Sequence, residues 1–196
     1  MNDFLSVVAA VLAAVITGAG AYVGVSLRRQ LKSRVSERRL TAYAALWQVT
    51  KKAALSRQNS LTEAERRELF EDMTSWYYQN GFGMCMTADC RNVFLGAKAN
   101  LVAPADGLEE TLRKYVVQAG REDHSRRSEL AVRQLSLLRT RMRADLEIFG
   151  RWYRSQDLND EERAFLKACG EDLSKYPWRP RHPLLRHDQL SNMISD

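Results

Sequence analysis

Charged side chains are absent from the first part of the chain, where residues 4–27 form 24 consecutive positions without Asp, Glu, Lys or Arg. As an α-helix this run would extend roughly 36 Å at ~1.5 Å per residue, which exceeds the ~30 Å hydrocarbon core of a bilayer. A cleaved export signal usually has a basic leader and an apolar stretch of only about 7–15 residues, whereas residues 1–3 are Met-Asn-Asp. The run therefore predicts an uncleaved transmembrane helix over residues 4–27, preceded by a short extracytoplasmic N-terminus, residues 1–3.

Acidic residues are scarce just after this run, in the juxtamembrane segment of residues 28–39, which contains Glu37 as its one acid. Its first basic residues are Arg28, Arg29, Lys32 and Arg34. Basic residues beside a span stay in the cytoplasm, so we expect the N-terminus outside and residues 28–196 inside. Arg outnumbers Lys by 23 to 7, which favours a bacterial source and hence the inner membrane. The same four residues are candidates for contact with anionic lipid, although a topology signal alone explains them.

Large side chains are missing at two positions one helical turn apart in the predicted span. Gly20 and Gly24 form a G-x-x-x-G pattern. Small residues at this spacing let two helix backbones approach closely in lipid. These two glycines are therefore a candidate helix-pairing face for a homo-oligomer, and the bilayer itself is the first expected partner.

Cysteine and histidine are few, at three residues each. Three thiols in a cytoplasmic segment argue against a disulfide framework. Cys85 and Cys90 form C-x4-C, which lacks the C-x2-C pairing of structural zinc sites, and Cys90 and Cys169 fall on apolar faces. The sequence predicts no catalytic residue, no cofactor and no metal site. An enzyme that uses Cys85, or a carboxylate from the acidic stretch 63–72, stays open as an alternative.

Proline and strand-like alternation are also rare, and three of the four prolines lie in the last 21 residues. The fold class predicted is all-α: a transmembrane helix followed by a cytoplasmic antiparallel helical bundle over residues 40–170, and a proline-containing tail over residues 171–196. Helices are predicted over residues 31–55, from the capping box "TEAE" at 62–65 to the glycines at 81 and 83, from Thr87 to about 101, over 108–119, over 122–149, and over 160–169. The core is predicted to contain Trp47, Phe70, Trp76, Phe94, Leu138 and Phe149.

Three adjacent aromatic residues precede a double-glycine turn in "WYYQNGFG", residues 76–83. Trp76, Tyr77 and Tyr78 are candidates for binding a partner. The alternative is a packed helix end, in which Trp76 and Tyr77 enter the core and the glycines form the turn.

Arginine is concentrated at Arg139, Arg141 and Arg143. This row could contact phosphate of a lipid or nucleic acid. The alternative is a solvated helix face braced by Asp145 and Glu147, with an Arg141–Asp145 pair worth roughly 0.2–0.5 kcal/mol. All 30 basic residues follow residue 27 together with 23 of the 24 acidic ones, an excess of seven spread thinly along the chain. Nucleic acid is therefore an unlikely partner.

The stretches "WYYQNGFGM" (residues 76–84) and "LRTRMRADL" (residues 138–146) are similar to segments of uncharacterised bacterial single-pass membrane-anchored helical proteins. This resemblance implies an anchor followed by a helical domain, and it assigns no activity or site residue. The leading hypothesis is a binding or scaffold module for a cytoplasmic protein. The alternatives are an enzyme with an unrecognised site and a module that binds anionic lipid or nucleic acid through arginines.

Overall fold

Residue 30 and residues 33–146 and 157–178 are described by the structure, which is a computed structural model. The chain divides into two units, residues 1–41 and 42–196. In the first unit the described residues are helical, and Thr41 Oγ1 donates a hydrogen bond to Glu37 O at 3.1 Å. The predicted span, residues 4–27, lies outside the described residues. Among the residues that are described, no helix is both long and apolar enough to cross a bilayer.

The second unit is mostly helical in its described part, which confirms the all-α prediction. Its elements are α1 (residues 42–50), a 3-10 turn (Lys51–Ala53), α2 (Glu63–Tyr78), a 3-10 turn (Gln79–Cys85), α3 (Ala88–Val102), a 3-10 turn (Ala105–Gly107), α4 (Glu110–Val116), β1 (Val117–Gln118), β2 (Arg121–Glu122), α5 (His124–Asp145) and α6 (Asp160–Ala168). The predicted α-helix to residue 55 thus ends at residue 50 and continues only as a 3-10 turn.

A short hairpin replaces the end of one predicted helix. The helix expected over 108–119 runs only from Glu110 to Val116, and β1 pairs antiparallel with β2 directly after it. Ala119 (φ 50°) and Gly120 (φ 78°) connect the strands. Two successive residues with positive φ give the two-residue turn whose twist suits a hairpin. The chain therefore reverses direction where apolar periodicity predicted further helix.

Capping residues set the starts of the helices. Thr62 and Glu65 form the predicted capping box of α2, and the Thr87 hydroxyl accepts a hydrogen bond from Cys90 N at 3.2 Å, as its predicted cap role requires. A second capping box, Asn159 with Glu162, starts α6 and was not predicted. In each case a side-chain oxygen accepts from an N–H group that has no partner in the first helical turn.

The core lies where α5 packs against α3, α4 and α6, and α2 packs against α3. Trp76, Phe94 and Leu138 are buried, which confirms three members of the predicted core. The ring centroids of Trp76 and Phe94 are 5.4 Å apart, and the indole nitrogen of Trp76 donates to Ala42 O at 3.0 Å. Phe70 is half-buried at the edge of the core, and Phe149 lies outside the described residues.

Trp47 is 39% exposed, so its predicted place in the core is wrong. Tyr43 and Leu46 occupy the buried stripe of α1 instead, and Trp47 lies beside that stripe. The guanidinium carbons of Arg139 and Arg143 lie 5.8 and 5.7 Å from its ring centroid. Charged groups over an aromatic face stabilise a ring at the boundary between core and solvent.

The segment 171–178 packs onto the domain, although the sequence analysis assigned it to the tail. Trp178 is 3% exposed, its backbone N–H donates to Lys175 O at 2.9 Å, and its indole donates to Glu171 Oε2. A buried indole with a bonded N–H makes Trp178 part of the core. The remainder of the predicted tail, residues 179–196, lies outside the described residues.

Candidate functional site

The candidate residues for the membrane lie largely outside the described part of the chain. Gly20, Gly24, Arg28, Arg29 and Lys32 all belong to the residues that are not described. Arg34 is described, and its side chain is exposed on the helix of the first unit. The pairing and lipid-contact predictions thus stay predictions.

The aromatic corner, residues 76–84, joins the end of α2 to the following turn. Trp76 is 2% exposed and Tyr77 is half-buried, with its ring stacked 5.4 Å from Phe94. Tyr78 is 75% exposed and meets the ring of Tyr77 edge-on at 5.3 Å. Of the three candidate partner-binding residues, Trp76 and Tyr77 anchor the corner, and Tyr78 is the one that faces solvent.

Met84 is an exposed apolar residue of the same corner that the sequence analysis did not select. It is 87% exposed, and its terminal methyl lies only 2.8 Å from where a Cβ on Gly81 would stand. Asn80 and Gly81 have φ of 50° and 70°, so the turn reverses the chain within two residues. The close approach of Met84 to the turn depends on this backbone conformation, for which glycine has no steric cost.

Gly83 sets the base of the corner. A Cβ at this position would lie 2.6 Å from a ring carbon of Tyr77. The backbone therefore passes directly against the tyrosine ring, and any larger residue would displace one of them. Tyr78 and Met84 are thus presented from a base that is packed into the core.

Arg139 does not belong to a solvated face, so that interpretation of the arginine row is wrong. It is 7% exposed, and it donates to Thr50 O at 3.1 Å and Ala53 O at 2.8 Å. These carbonyls end α1 and its 3-10 turn, where no further helical N–H is available. Burial lowers the pKa of the Arg139 guanidinium, and Arg143 beside it lowers the pKa further. The arginine stabilises a helix end rather than offering a charge to solvent.

Arg141 is the centre of an ionic cluster in which the side chains of Asp145 and Glu171 are buried and that of Asp89 is exposed. Its Nε lies 3.5 Å from Asp145 Oδ1 and 3.6 Å from Glu171 Oε1, and its Nη2 pairs with Asp89. The predicted Arg141–Asp145 pair is therefore present, but both side chains are largely buried. Glu147, predicted to brace the same face, lies outside the described residues.

Two hydroxyl groups donate hydrogen bonds to the carboxylate of Asp145. Tyr43 Oη and the Thr87 hydroxyl both donate to Asp145 Oδ2, the first at 2.8 Å. Burial raises the pKa of the Tyr43 phenol far above its ordinary value, and the negative charge of Asp145 adds to the effect. Asp145 thus joins α5 to α1 and to the start of α3 through neutral donors.

Two of the three thiols, those of Cys90 and Cys169, lie in environments that disfavour the thiolate. Burial raises the pKa of Cys90 well above its ordinary value, and burial followed by the charge of Glu171 raises the pKa of Cys169 to about 12. Cys85 is half-buried, with its sulfur 3.8 Å from Gly81 O. Since the thiolate is the nucleophilic form, Cys90 and Cys169 are protonated near neutral pH.

Potential metal ligands are dispersed in the described ranges, 33–146 and 157–178, which contain no group of three His, Cys, Asp or Glu side chains placed to hold an ion. His124 is exposed at the start of α5, and His182 and His187 are not described. The acidic stretch 63–72 of the alternative enzyme hypothesis forms local ion pairs, including Glu65 with Arg57 and Glu68 with Lys52.

A polar cleft of about 520 Å³ opens between residues 54–60, α5 and the region where α6 begins. Its Arg133 pairs with Glu129 at 2.6 Å, and Tyr115 Oη donates to Glu129 at 2.6 Å. On the opposite wall Arg57 pairs with Glu65 and donates to Asn59 O at 2.6 Å. Arg57, Glu129 and Arg133 of the cleft thus have internal partners. No local motif indicates the cleft, because its walls come from three separate segments.

The comparison with known proteins gives no further assignment: no family model matches the chain, and no curated protein or solved structure matches it. The geometry therefore supplies the candidates. The aromatic corner exposes apolar groups on a packed base, whereas Arg57, Glu129 and Arg133 of the cleft and the groups of the ionic cluster pair within the domain.

Proposed function

We propose that this chain is a single-pass membrane-anchored helical protein whose cytoplasmic domain binds a protein partner through the aromatic corner. The observation that carries the proposal is the exposure of Tyr78 and Met84, at 75% and 87%, on a turn whose base is buried. Aromatic and methionine side chains are enriched at protein interfaces relative to the rest of the surface. Their joint exposure on one turn is typical of a small interaction surface.

The packed base of the corner favours binding. Tyr77 lies between the exposed Tyr78 ring and the core residue Phe94, with ring-centroid distances of 5.3 and 5.4 Å. Gly83 passes against Tyr77 at its base. A surface that is already ordered loses less conformational entropy when a partner binds. Methionine adds a flexible, polarizable group that adapts to an irregular partner surface.

The membrane part of the proposal rests on the uncharged run at residues 4–27 and the basic flank that begins at Arg28. On this proposal the N-terminus lies outside the bacterial inner membrane and the domain lies in the cytoplasm. Gly20 and Gly24 supply a face for pairing of two copies in the bilayer.

A second candidate is contact of the juxtamembrane segment with anionic lipid. It is supported by the exposure of Arg34 and by the sequence positions of Arg28, Arg29 and Lys32 beside the predicted span. Each such residue contributes about 1 kcal/mol of attraction near an anionic leaflet. Arg139 and Arg141 do not extend this surface, because they bond helix carbonyls and carboxylates within the domain.

Site-specific photocrosslinking in cells tests the proposed corner. A photoreactive amino acid at position 78 of the full chain should give a discrete adduct with one protein, and Met84→Ser should weaken that adduct. The matched control places the same group at Leu55, which is 62% exposed and outside the corner. Identical adducts from both positions, or none from position 78, would contradict the corner as a binding surface.

A further inference from the structure

The polar cleft contains more acid than its arginines neutralise. Five charged side chains line it, of which three are carboxylates and two are guanidinium groups: Glu129, Asp157, Glu162, Arg57 and Arg133. Arg133 pairs with Glu129 inside the cleft, whereas Arg57 pairs with Glu65, which does not line it. Two carboxylates of the lining, those of Asp157 and Glu162, are left over.

The two arginines have few donors to offer a ligand. Arg57 donates from Nε to Asn59 O at 2.6 Å and from Nη2 to both carboxylate oxygens of Glu65, at 2.7 and 2.9 Å. Arg133 donates from Nε and Nη2 to Glu129 Oε1, at 3.0 and 2.6 Å. An anionic ligand would have to displace these carboxylates, so the cleft is poorly suited to anions.

Asp157 and Glu162 have no basic partner within ion-pair distance in the described ranges, 33–146 and 157–178. The side chain of Glu162 is buried at 7% exposure, and its Oε2 accepts from Asn159 N at 3.1 Å. Its Oε1, like the carboxylate of Asp157, has no donor in those ranges. The pKa of Arg133 is raised against the effect of burial, first by its bond to Glu129 and less by the charge of Glu162. Burial of a carboxylate without a cation is costly.

We propose that the polar cleft binds an aliphatic ammonium group, with Asp157 and Glu162 as its counter-ions. An ammonium group carries one positive charge and three N–H donors that diverge from one atom. It can therefore meet two carboxylates and a hydroxyl such as that of Ser60 or Ser125, which also line the cleft. A planar guanidinium fork matches a single carboxylate better than acceptors on separate segments. The described residues hold no third His, Cys, Asp or Glu placed to complete a metal site.

The size and apolar wall of the cleft suit an aliphatic stem. Its volume of about 520 Å³ lies within the range of roughly 300–1,000 Å³ that is usual for small-molecule sites. Ala54, Leu55 and Val132 line it beside the charged groups. Methylene groups pack along apolar surface while the charged head reaches polar partners. A free diamine and the side chain of a lysine on another polypeptide share this chemistry.

Isothermal titration calorimetry with 1,5-diaminopentane tests the site on the full chain in nonionic detergent, near neutral pH and at constant ionic strength. The expected result is saturable binding of about one diamine per chain, with a Tm that rises as diamine is added. The uncharged match is 1,5-pentanediol, which has the same stem and should not bind. Equal binding of the diol, or diamine binding that does not saturate, would overturn the proposal.

Asp157→Asn is the decisive variant, because it removes one counter-ion at a side chain that makes no hydrogen bond in the described part of the chain. The diamine affinity should fall roughly tenfold or more, since a charge-assisted hydrogen bond is lost. The Tm measured without diamine should equal that of the wild type. An unchanged affinity rejects the site.

Asp160→Asn is the matched control, since Asp160 is an exposed acid in the first turn of α6 and does not line the cleft. Its affinity should equal that of the wild type; an equal loss in both variants would assign the effect to the general field of this helix start and reject the site. Should Asp157→Asn not fold, Glu162→Gln keeps an oxygen for the bond from Asn159 N and should weaken diamine binding. Unaltered binding by Glu162→Gln would then reject the site.

The source of the ammonium group is distinguished by comparing 1,5-diaminopentane with Nα-acetyl-lysine amide, which has a lysine side chain on a capped backbone. A diamine affinity at least tenfold higher assigns a free diamine, because the cleft then excludes the backbone or uses the second ammonium group. A smaller preference assigns the side chain of a polypeptide. Tyr78 and Met84 take no part in the cleft, so failure of either proposal leaves the other standing.

Discussion

At the scale of single residues, buried arginines stabilise the ends of helices from which they are distant in sequence. Arg139 bonds two carbonyls that lie 89 and 86 positions before it, and Arg127 bonds two carbonyls at the end of α3. One planar guanidinium can reach two carbonyl oxygens at once, and its positive charge complements the negative end of the helix dipole. The presence of Arg127 and Arg139 in α5 is thereby explained by packing of the domain.

Replacement of Arg139 tests this role. Arg139→Met should lower the free energy of unfolding by about 1–3 kcal/mol for each carbonyl left buried without a donor. Thermal melting of the full chain in mild detergent measures the effect, and Arg91→Met, at an exposed position of α3, is the control. Equal melting temperatures for the two variants would show that the carbonyls find other donors.

Glu171 should make stability depend on pH. Burial raises the pKa of its carboxyl above the ordinary value of 4.5, against the opposing effects of the Trp178 indole and Arg141. A raised pKa means that the folded state favours the protonated acid, so its contribution is full below about pH 4.5 and is lost as pH rises through the folded pKa. Glu171→Gln mimics the protonated form, and its stability relative to the wild type should increase as pH rises from 4.5 to 7.

The neighbouring acid provides a control of opposite sign. Bonds from Ser174 and the charge of Lys175 lower the pKa of Asp172 to about 2. Its contribution is therefore present above its ordinary value of 3.8 and is lost as pH falls through about 2. Asp172→Asn should show no change in relative stability between pH 4.5 and 7. If urea unfolding gave parallel pH profiles for wild type and Glu171→Gln, the raised pKa would be wrong.

At the scale of elements, local chemistry predicted where helices begin better than it predicted which face is buried. Thr62 with Glu65, and Thr87, gave correct helix starts because a cap is decided within four residues. Asn159 and Glu162 carry the same signal at the start of α6. The hairpin at Ala119 was missed because apolar spacing continues through it while the backbone reverses.

Burial of charged and aromatic residues depended on partners that no local pattern reveals. Trp47 was predicted buried from its spacing, yet Arg139 and Arg143 cover its face at the edge of the core. The arginine row was predicted to allow a solvated face, yet Arg141 meets Asp89 and Glu171 from elements distant in sequence. The aromatic corner was correctly selected as unusual, but only the fold separates the exposed Tyr78 from the buried Trp76.

The two tryptophans of α1 and α2 provide a prediction at this scale. Trp76→Ala should destabilise the domain by about 3–5 kcal/mol, because it leaves a cavity beside Phe94 and removes the donor to Ala42 O. Trp47→Ala should cost much less, since Trp47 is already 39% exposed. Thermal melting of both variants tests the comparison, and equal losses would place Trp47 in the core after all.

At the scale of the whole molecule, the sequence carries two features with different physical requirements. The first 27 residues have one charge, at Asp3, whereas all 30 basic residues follow them. An uncharged run suits the interior of a bilayer, and a flank rich in arginine resists translocation across it. The proposed arrangement therefore places every basic residue on the cytoplasmic side.

Fusion reporters and membrane extraction test this topology together. A reporter that is fluorescent only in the cytoplasm should be active after Asp196, and alkaline phosphatase, which requires the oxidising periplasm, should be inactive there. The intact chain should stay in the membrane pellet after a carbonate wash, because a spanning helix is held by its apolar surface rather than by charge. Active phosphatase at the C-terminus would contradict the proposed orientation. Release of a shortened soluble chain would show that residues 4–27 act as a cleaved signal. Replacing Arg28, Arg29, Lys32 and Arg34 with Gln should raise the fraction of inverted chains, because the basic flank is what opposes translocation.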